Sequence, residues 1–368
     1  MHWHIKGAMA DAMARLKTSD VAGATAAIRQ ALAARTRGVG VQPTSKKVAA
    51  DDDAGAPRLR RLGDILKTLG AQRATYRRFP PASDEATPAA DEGDDRFVSR
   101  SHRSAAGLLN YKLYVPANLD RELALVVMLH GCTQDPDDFA RGTQMNRLAD
   151  EFGLIVAYPH QPRSGNAQGC WNWFDIRHQQ AGSGEPAMLA ALGQELAREF
   201  KITPGRVFAA GLSAGAAMAE VLAETHPTVF AAVGLHSGLP YRAAHDVISA
   251  FAAMKGNGKT APCIGVQGRR KIIIHGTADA TVSRSNGDAL FERMRSQNPG
   301  SSVVMSEVRS GSRTATRQVL IGPAGEALAE YLLINGAGHA WSGGHRSGTF
   351  ADPAGPDASR EMITFFLR

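Results

Sequence analysis

Apolar runs of about five residues recur along the chain from residue 110 onward, and longer stretches with helical patterning separate them. Runs of this length are typical of strands that are buried on both faces of a sheet. Strands that alternate with helices predict a mainly parallel sheet covered by helices on both faces, which is an α/β fold. The runs lie at residues 125–129, 154–158, 206–210, 231–235, 271–275 and 331–335, and residues 110–116 are predicted to form an earlier strand of the same domain.

The first 95 residues have a different pattern. Residues 9–34 are rich in alanine with apolar positions at helical spacing, and residues 59–69 form a second, shorter helical stretch. Residues 35–57 and 79–95 combine proline and charged residues, which is typical of linkers. We therefore predict a helical N-terminal extension with linkers at 1–95 and one α/β domain at 96–368.

The N-terminal extension is strongly basic. The chain carries a formal net charge of +7, while residues 1–80 alone hold 15 Lys/Arg against 6 Asp/Glu. A scattered basic segment is most often a solvated extension, and attachment to a surface is the alternative. We expect no nucleic-acid partner, and no apolar run approaches the length of a transmembrane helix.

The pentapeptide Gly211-Leu212-Ser213-Ala214-Gly215 follows the apolar run 206–210 and precedes an alanine-rich helical stretch. Strand, serine and helix in this order predict the nucleophile elbow of an α/β-hydrolase, in which a sharp turn lifts the serine hydroxyl above the sheet. The flanking glycines have a steric reason, because a side chain there would collide where strand and helix meet. A plain tight turn in a glycine-rich chain is the alternative interpretation.

Two further residues follow strands later in the chain. Asp279 comes just after the run 271–275, and His339 comes just after the run 331–335. The chain order serine, aspartate, histidine is the order of the α/β-hydrolases. We predict that Ser213 is the nucleophile, His339 the base and Asp279 the residue that orients the imidazole. Glu185 and Asp175 are weaker candidates for the acid, because both precede the serine.

The run 125–129 ends in His130-Gly131-Cys132, which predicts the loop that supplies an oxyanion-hole amide. We assign the two amides to Ala214 and Cys132, with Thr133 as the alternative to Cys132. His130 is interpreted as a residue that holds this loop rather than as a base.

Several blocks of sequence together resemble the poly(3-hydroxybutyrate) depolymerase-type esterases, which are related to feruloyl and acetylxylan esterases. The resemblance covers roughly residues 97–368, and it implies hydrolysis of short hydroxyalkanoate or similar acyl esters by Ser213, Asp279 and His339. It leaves open whether the substrate is a polymer or a small ester. The blocks are Leu129-His-Gly-Cys-Thr-Gln134, Gly169-Cys-Trp-Asn-Trp-Phe174, Gly182-Ser-Gly-Glu-Pro186, Gly211-Leu-Ser-Ala-Gly215, Leu235-His-Ser-Gly-Leu-Pro240, His275-Gly-Thr-Ala-Asp279 and Gly338-His-Ala-Trp-Ser-Gly343.

The sequence allows two cellular locations for the protein. The N-terminal residues lack the order of charged, apolar and small residues that marks a secretory signal, so the sequence predicts a cytoplasmic protein. The resemblance includes secreted proteins, which makes an extracellular location the alternative.

The chain has three cysteines. Cys132 and Cys170 follow successive strands, so a disulfide that clamps the oxyanion loop and two free thiols are both open. Cys263 has no assigned role. No cysteine–histidine set has zinc-ligand spacing, so we predict no metal and no cofactor.

Aromatic and polar residues beside the expected catalytic edge complete the prediction. Trp173 and Trp341 are expected to be walls of the acyl pocket, and His236 and Ser237 are expected to line it. The predicted function is a serine esterase that works through an acyl-enzyme. An acyltransferase with the same triad and a binding protein without enzymatic activity on the same scaffold are the alternatives.

Overall fold

The computed structural model describes residues 95–258 and 269–368. The predicted helices and linkers of the N-terminal extension, and Cys263, lie outside these residues. Within them the chain forms a ten-stranded sheet, a small two-stranded sheet and seven α-helices. The strands are β1 (Phe97–Ser104), β2 (Gly107–Tyr114), β3 (Ala124–Leu129), β4 (Leu154–Pro159), β5 (Val207–Leu212), β6 (Ala232–His236), β7 (Arg270–Gly276), β8 (Ser302–Ser310), β9 (Arg313–Ile321), β10 (Ala327–Ile334), β11 (Trp341–Ser342) and β12 (Ala351–Asp352).

The helices connect and flank these strands, with a 3₁₀ turn at Ile176–His178 and a π turn at Ala253–Asn257. The α-helices are α1 (Pro136–Thr143), α2 (Met145–Phe152), α3 (Gly184–Glu199), α4 (Ala214–Thr225), α5 (Val247–Ala252), α6 (Ser285–Gln297) and α7 (Ala358–Phe366). No helix in the described ranges is long and apolar enough to cross a membrane.

The large sheet has the order β1-β2-β4-β3-β5-β6-β7-β10-β9-β8. The six central strands, which are β4, β3, β5, β6, β7 and β10 in spatial order, pair in parallel. Antiparallel strands extend the sheet at both ends. This confirms the predicted α/β fold with a mainly parallel sheet.

Alternate residues of the central strands enter two separate apolar layers. On β3, Leu125, Val127 and Leu129 face the layer that contains α3, α4 and α6. Val126 and Met128 face the layer that contains α1, α2 and α7. Every residue of β3 is buried, which explains why this strand is a continuous apolar run rather than an alternating one.

The parallel strands determine where the chemistry lies. β3, β5, β7 and β10 run in the same direction, so the loops that follow them meet at one edge of the sheet. Those four loops contain the predicted oxyanion residues, the serine, the aspartate and the histidine.

Candidate active site

Ser213 stands between β5 and α4 in a backbone conformation that side chains rarely adopt, with φ 58° and ψ −117°. Its backbone is held on both sides, because its amide donates to the His236 carbonyl at 2.9 Å and its carbonyl accepts from the Ala217 amide at 2.9 Å. Strained backbone of this kind is characteristic of functional residues. The predicted strand–serine–helix turn is therefore present at Ser213.

The glycines beside the serine leave no room for a side chain. A Cβ at Gly211 would collide with the Gly215 backbone, and a Cβ at Gly215 would collide with the carbonyl oxygen of Leu129 at the end of β3. Because these are backbone atoms, a side chain could fit only if a strand or the helix moved. Both glycines are thus required by close packing of β3, β5 and α4.

Asp279 and His339, which are 60 residues apart in the chain, form a direct hydrogen bond. The Nδ1 of His339 lies 2.7 Å from Oδ2 of Asp279, and the other carboxylate oxygen accepts the amides of Thr281 and Val282 at 2.9 Å each. The amide bonds orient the carboxylate, and the carboxylate orients the imidazole. Asp279, rather than Glu185 or Asp175, therefore partners His339.

Electrostatics keeps this aspartate ionised. Burial alone would raise the pKa of Asp279. The opposing effects are larger and lower that pKa to about 2: they come first from the charge and hydrogen bond of the His339 imidazole, and then from His275 and the Val282 amide. An ionised carboxylate stabilises the imidazolium that forms when a histidine accepts a proton.

The oxyanion loop after β3 is held by its own polar groups. The Thr133 amide donates to the Gln168 carbonyl at 2.8 Å, and the Gly131 amide donates to Oε1 of Gln134 at 3.0 Å. Because the amides on either side are engaged, the Cys132 amide is the better candidate for the oxyanion hole than Thr133. Ala214 is the first residue of α4, where amide groups have no partner within the helix.

His130 fixes the orientation of the peptide that carries the Cys132 amide. The Gln161 amide donates to Nε2 of His130 at 3.2 Å, so Nδ1 carries the proton and donates to the Gly131 carbonyl at 2.8 Å. In a trans peptide the carbonyl and the following N–H point in opposite directions. Holding the Gly131 carbonyl against His130 therefore turns the Cys132 N–H the other way.

Burial keeps His130 neutral. It lowers the pKa of His130 to about 4, and the hydrogen bond to the Gly131 carbonyl opposes this shift only in part. This neutral state is needed for Nε2 to accept a hydrogen bond, in agreement with the interpretation of His130 as a loop-holding residue.

Cys132 and Cys170 form a disulfide, which decides between the two alternatives left open by the sequence. The pairing follows from topology, since β3 and β4 are parallel neighbours and each cysteine lies beyond one of them. Glu185 supports the same region, because its carboxylate accepts from Gln161 Nε2 and from the Asn172 amide. The disulfide ties the oxyanion loop to the loop after β4, and the buried Glu185 carboxylate holds that second loop.

A cavity of about 140 Å³ opens at the serine. Ser213, His339 and Cys132 line it together, so the structure brings the predicted nucleophile, base and oxyanion loop to one place. The remaining walls are mostly apolar, and Trp173 is among them as expected. They include Phe174, Leu212, Val247, Ala250, Phe251, Met254 and Phe350.

The structure contradicts the prediction that Trp341 is a pocket wall. Trp341 is 1% exposed and belongs to the apolar layer of α1, α2 and α7. Its indole Nε1 donates to Ser359 Oγ at 3.0 Å, and its ring packs edge-on against Phe139. Nearness to His339 in sequence misled the prediction, because Trp341 lies in β11 and packs away from the cavity.

The predictions for His236 and Ser237 are also wrong. Both are buried and neither lines the cavity. His236 stacks on Trp341 at 5.2 Å and accepts the Ser342 amide at Nε2, while the Ser237 amide donates to the Ile274 carbonyl. Both residues therefore form hydrogen bonds with neighbouring backbone instead of contacting the cavity.

Sequence reasoning missed the cavity wall formed by α5 and the π turn. Asp246 caps α5 by accepting the Ser249 amide at 2.7 Å, and Ser249 Oγ accepts the Asp246 amide. This capping box is a signal from which the start of the helix could have been found. The face that α5 turns to the cavity has no comparable signal.

No group of three or more histidine, cysteine or acidic side chains in the described part of the chain is arranged to hold a metal ion. The described site thus offers a nucleophile, a base and hydrogen-bond donors as its chemical groups.

Comparisons with known proteins agree with this geometry. Residues 109–314 match the family model described as Esterase PHB depolymerase. The chain is 32% identical over 250 residues to poly(3-hydroxyalkanoate) depolymerase C of Paucimonas lemoignei, covering 63% of this chain and 58% of that protein. It is 35% identical over 140 residues to acetylxylan esterase A of Talaromyces purpureogenus, covering 37% and 35%. The chain thus spans little more than half of the first relative's length and about a third of the second's.

A solved structure shows the same fold. The acetyl xylan esterase from Aspergillus awamori superposes with a TM-score of 0.53 at 19% identity, covering 70% of this chain and 94% of that one. The fold is that of the α/β-hydrolases, as predicted. The chain belongs to the PHB depolymerase family of esterases.

Proposed function

We propose that this protein hydrolyses carboxylic esters of short, uncharged acyl groups through a covalent acyl-enzyme, with 3-hydroxybutyrate oligomers or polymer as the preferred substrate class. The observation that carries the proposal is the apolar cavity that Ser213 and His339 line together, with Asp279 bonded to His339.

The mechanism follows from the role that each group can take. Ser213 attacks the ester carbonyl while His339 accepts the hydroxyl proton, and Asp279 stabilises the imidazolium. The amides of Ala214 and Cys132 bind the developing oxyanion. His339 then gives the proton to the leaving alkoxide, and water repeats the sequence to release the acid.

The cavity limits the acyl group. A volume of about 140 Å³ is close to that of an apolar protein cavity that holds benzene, so it suits an acyl group of a few carbons. Apart from His339, none of the lining residues that the structure describes is titratable, which disfavours a charged acyl group. The alignment with the polyhydroxyalkanoate depolymerase also covers more of this chain than that with the acetylxylan esterase.

A panel of esters tests the proposal. We expect kcat/KM for nitrophenyl esters to peak at short acyl groups and to fall for long ones, and we expect release of 3-hydroxybutyrate units from amorphous polymer. Ser213→Ala should reduce both rates about a million-fold with the fold intact. Faster turnover of acetylated xylan or feruloyl esters than of hydroxybutyrate oligomers would replace the proposed substrate class by that alternative.

The rival functions give different results in the same panel. An acyltransferase would convert added alcohol into a new ester in preference to releasing the acid. A binding protein would turn over no short ester, and Ser213→Ala would then change nothing that the assay measures.

We also propose that the catalytic domain works in oxidising surroundings, which is the extracellular alternative. The Cys132–Cys170 disulfide supports this proposal, because such bonds persist mainly outside the reducing cytosol. Fractionation of the native cells, with the thiol state of both cysteines measured by alkylation, tests it. Reduced thiols in a cytoplasmic fraction would contradict it.

A further inference from the structure

We propose that the protein forms a dimer with a second copy of itself by antiparallel pairing of β8 across a two-fold axis at Ser306. This joins the two ten-stranded sheets into one, at the end of the sheet where β9 separates β8 from β10.

β8 is the outermost strand of the sheet, and its other edge is unpaired within the described residues. It is nine residues long and pairs with β9 in unbroken register from Ser302 to Ser310. Its middle is apolar and exposed, with Val304 56% and Met305 64% accessible to solvent. A long, regular, apolar edge of this kind is a template for pairing with another strand.

The opposite edge of the same sheet differs. β1 carries Arg100, His102 and Arg103, and Arg100 forms an ion pair with Glu199. Charged side chains are a common way of protecting an edge from pairing. β8 has no lysine, no proline and no bulge where it pairs with β9, so this protection is missing along its apolar half.

The sequence of β8 identifies the partner as a second copy. In a two-fold antiparallel pair centred on Ser306, each residue opposes the one at the same distance on the other side of the axis. Along one face the strand reads Ser302, Val304, Ser306, Val308, Ser310, which is the same in both directions. Serine would therefore oppose serine and valine would oppose valine, which are favourable cross-strand pairs.

The other face is also compatible with this register. Val303 opposes Arg309 of the second copy, so the arginine stem covers an exposed valine, and Met305 opposes Glu307. The two copies of Glu307 lie diagonally near each other, but each has its own Arg309 at 3.4 Å. Every residue of β8 is paired in this arrangement, and no like charges are directly opposed.

One strand pair is a small contact. Stable complexes bury roughly 1,200–2,000 Å² and smaller contacts are transient, so we expect a dimer that dissociates at concentrations on the order of micromolar. Sedimentation velocity of the full chain over a range of concentrations should show monomer and dimer in exchange. Val304→Lys should weaken the dimer by roughly two- to thirtyfold, because the two-fold axis makes this one substitution remove two valine–valine cross-strand pairs. The matched control is Val98→Lys on β1, which should leave the equilibrium unchanged.

The register is tested by cross-linking in a Cys263→Ser background. Directly opposite Cβ atoms lie about 4.5–5.5 Å apart, so Ser306→Cys should oxidise to a covalent dimer. Ser302→Cys should not, because it opposes Ser310. A monomer at every concentration overturns the proposal, and that is also the result expected if another segment of the same chain covers β8. Equal cross-linking of the two cysteine variants overturns the register.

Discussion

Replacing His130 by phenylalanine tests whether the orientation of one peptide controls the oxyanion hole. The phenyl ring fills similar space but removes both hydrogen bonds of the imidazole. Among the described residues, the Gly131 carbonyl then keeps the Gln134 amide alone as a donor, at 3.3 Å, and the Gln161 amide loses its acceptor. Catalysis and stability are therefore affected through two different bonds.

The expected sizes follow from those bonds. A buried hydrogen bond contributes about 0.5–1.5 kcal/mol. Without it, the fraction of molecules in which the Gly131–Cys132 peptide is correctly oriented should fall by up to about tenfold, and kcat should fall by the same factor. Complete loss of an oxyanion donor, about 10²–10³-fold, is the upper limit. Leaving the Gln161 N–H buried without a partner should lower the free energy of unfolding by about 1–3 kcal/mol.

His130→Asn separates the two effects. Its amide group can occupy the place of Nδ1 and donate to the Gly131 carbonyl, but it is too short to accept from Gln161. We expect Asn to recover most of the kcat that Phe loses while remaining as unstable as Phe. Initial rates on a soluble short ester and urea unfolding of both variants provide the measurements. Equal loss of kcat in the two variants, or lower stability of the Phe variant with unchanged kcat, would refute the reasoning.

Further predictions follow from the same structure. Asp279→Asn should lower kcat about ten-thousand-fold in the short-ester assay, since His339 loses its orienting partner; a near-normal rate would rule out this acid. Trp341→Ala should cost about 3–5 kcal/mol in urea unfolding with acyl-chain preference unchanged. Reduction of the disulfide, which spans 38 residues, should lower the free energy of unfolding by about 4 kcal/mol, and Cys170→Ser should match it. Burial lowers the pKa of His236 to about 3, with His275 and His339 adding to the shift. Because the unfolded state takes up this proton more readily, stability should fall from about pH 6.5 towards pH 3, and less steeply in His236→Gln.

The meeting of Ser213, Asp279 and His339 could be predicted from the sequence because topology constrains it. Ser213, Asp279 and His339 each follow a strand of one parallel set, so order along the chain was sufficient to place them at a common edge. For the disulfide, the same reasoning could predict that the two cysteines lie near each other but not that they are bonded. Neighbouring strands made the contact between Cys132 and Cys170 feasible, but the sequence alone could not show whether the thiols meet.

The cavity wall could not be predicted, because it depends on packing between distant segments. Phe251 and Met254 line the cavity from α5 and from the π turn, and the π turn is hydrogen-bonded to the loop that carries Asp279. The Ser283 amide donates to the Met254 carbonyl at 2.7 Å, and Lys255 Nζ donates to the Ala280 carbonyl at 2.8 Å. Such contacts leave no periodic signal in either segment.

The error over His236 and Trp341 has a physical cause that also explains their role. Successive side chains of a strand face opposite sides of the sheet, so His236 shares its side with Ala232, which lies in the layer of α1, α2 and α7. Trp341 lies in that same layer, and the two rings stack there. Alternation along β6 could have shown that His236 and Ala232 face the same way, but only the fold shows that Trp341 covers the His236 ring there. A residue at or just beyond a strand end is therefore a site candidate by position, and what its side chain packs against decides whether it lines the cavity or supports the loops around it.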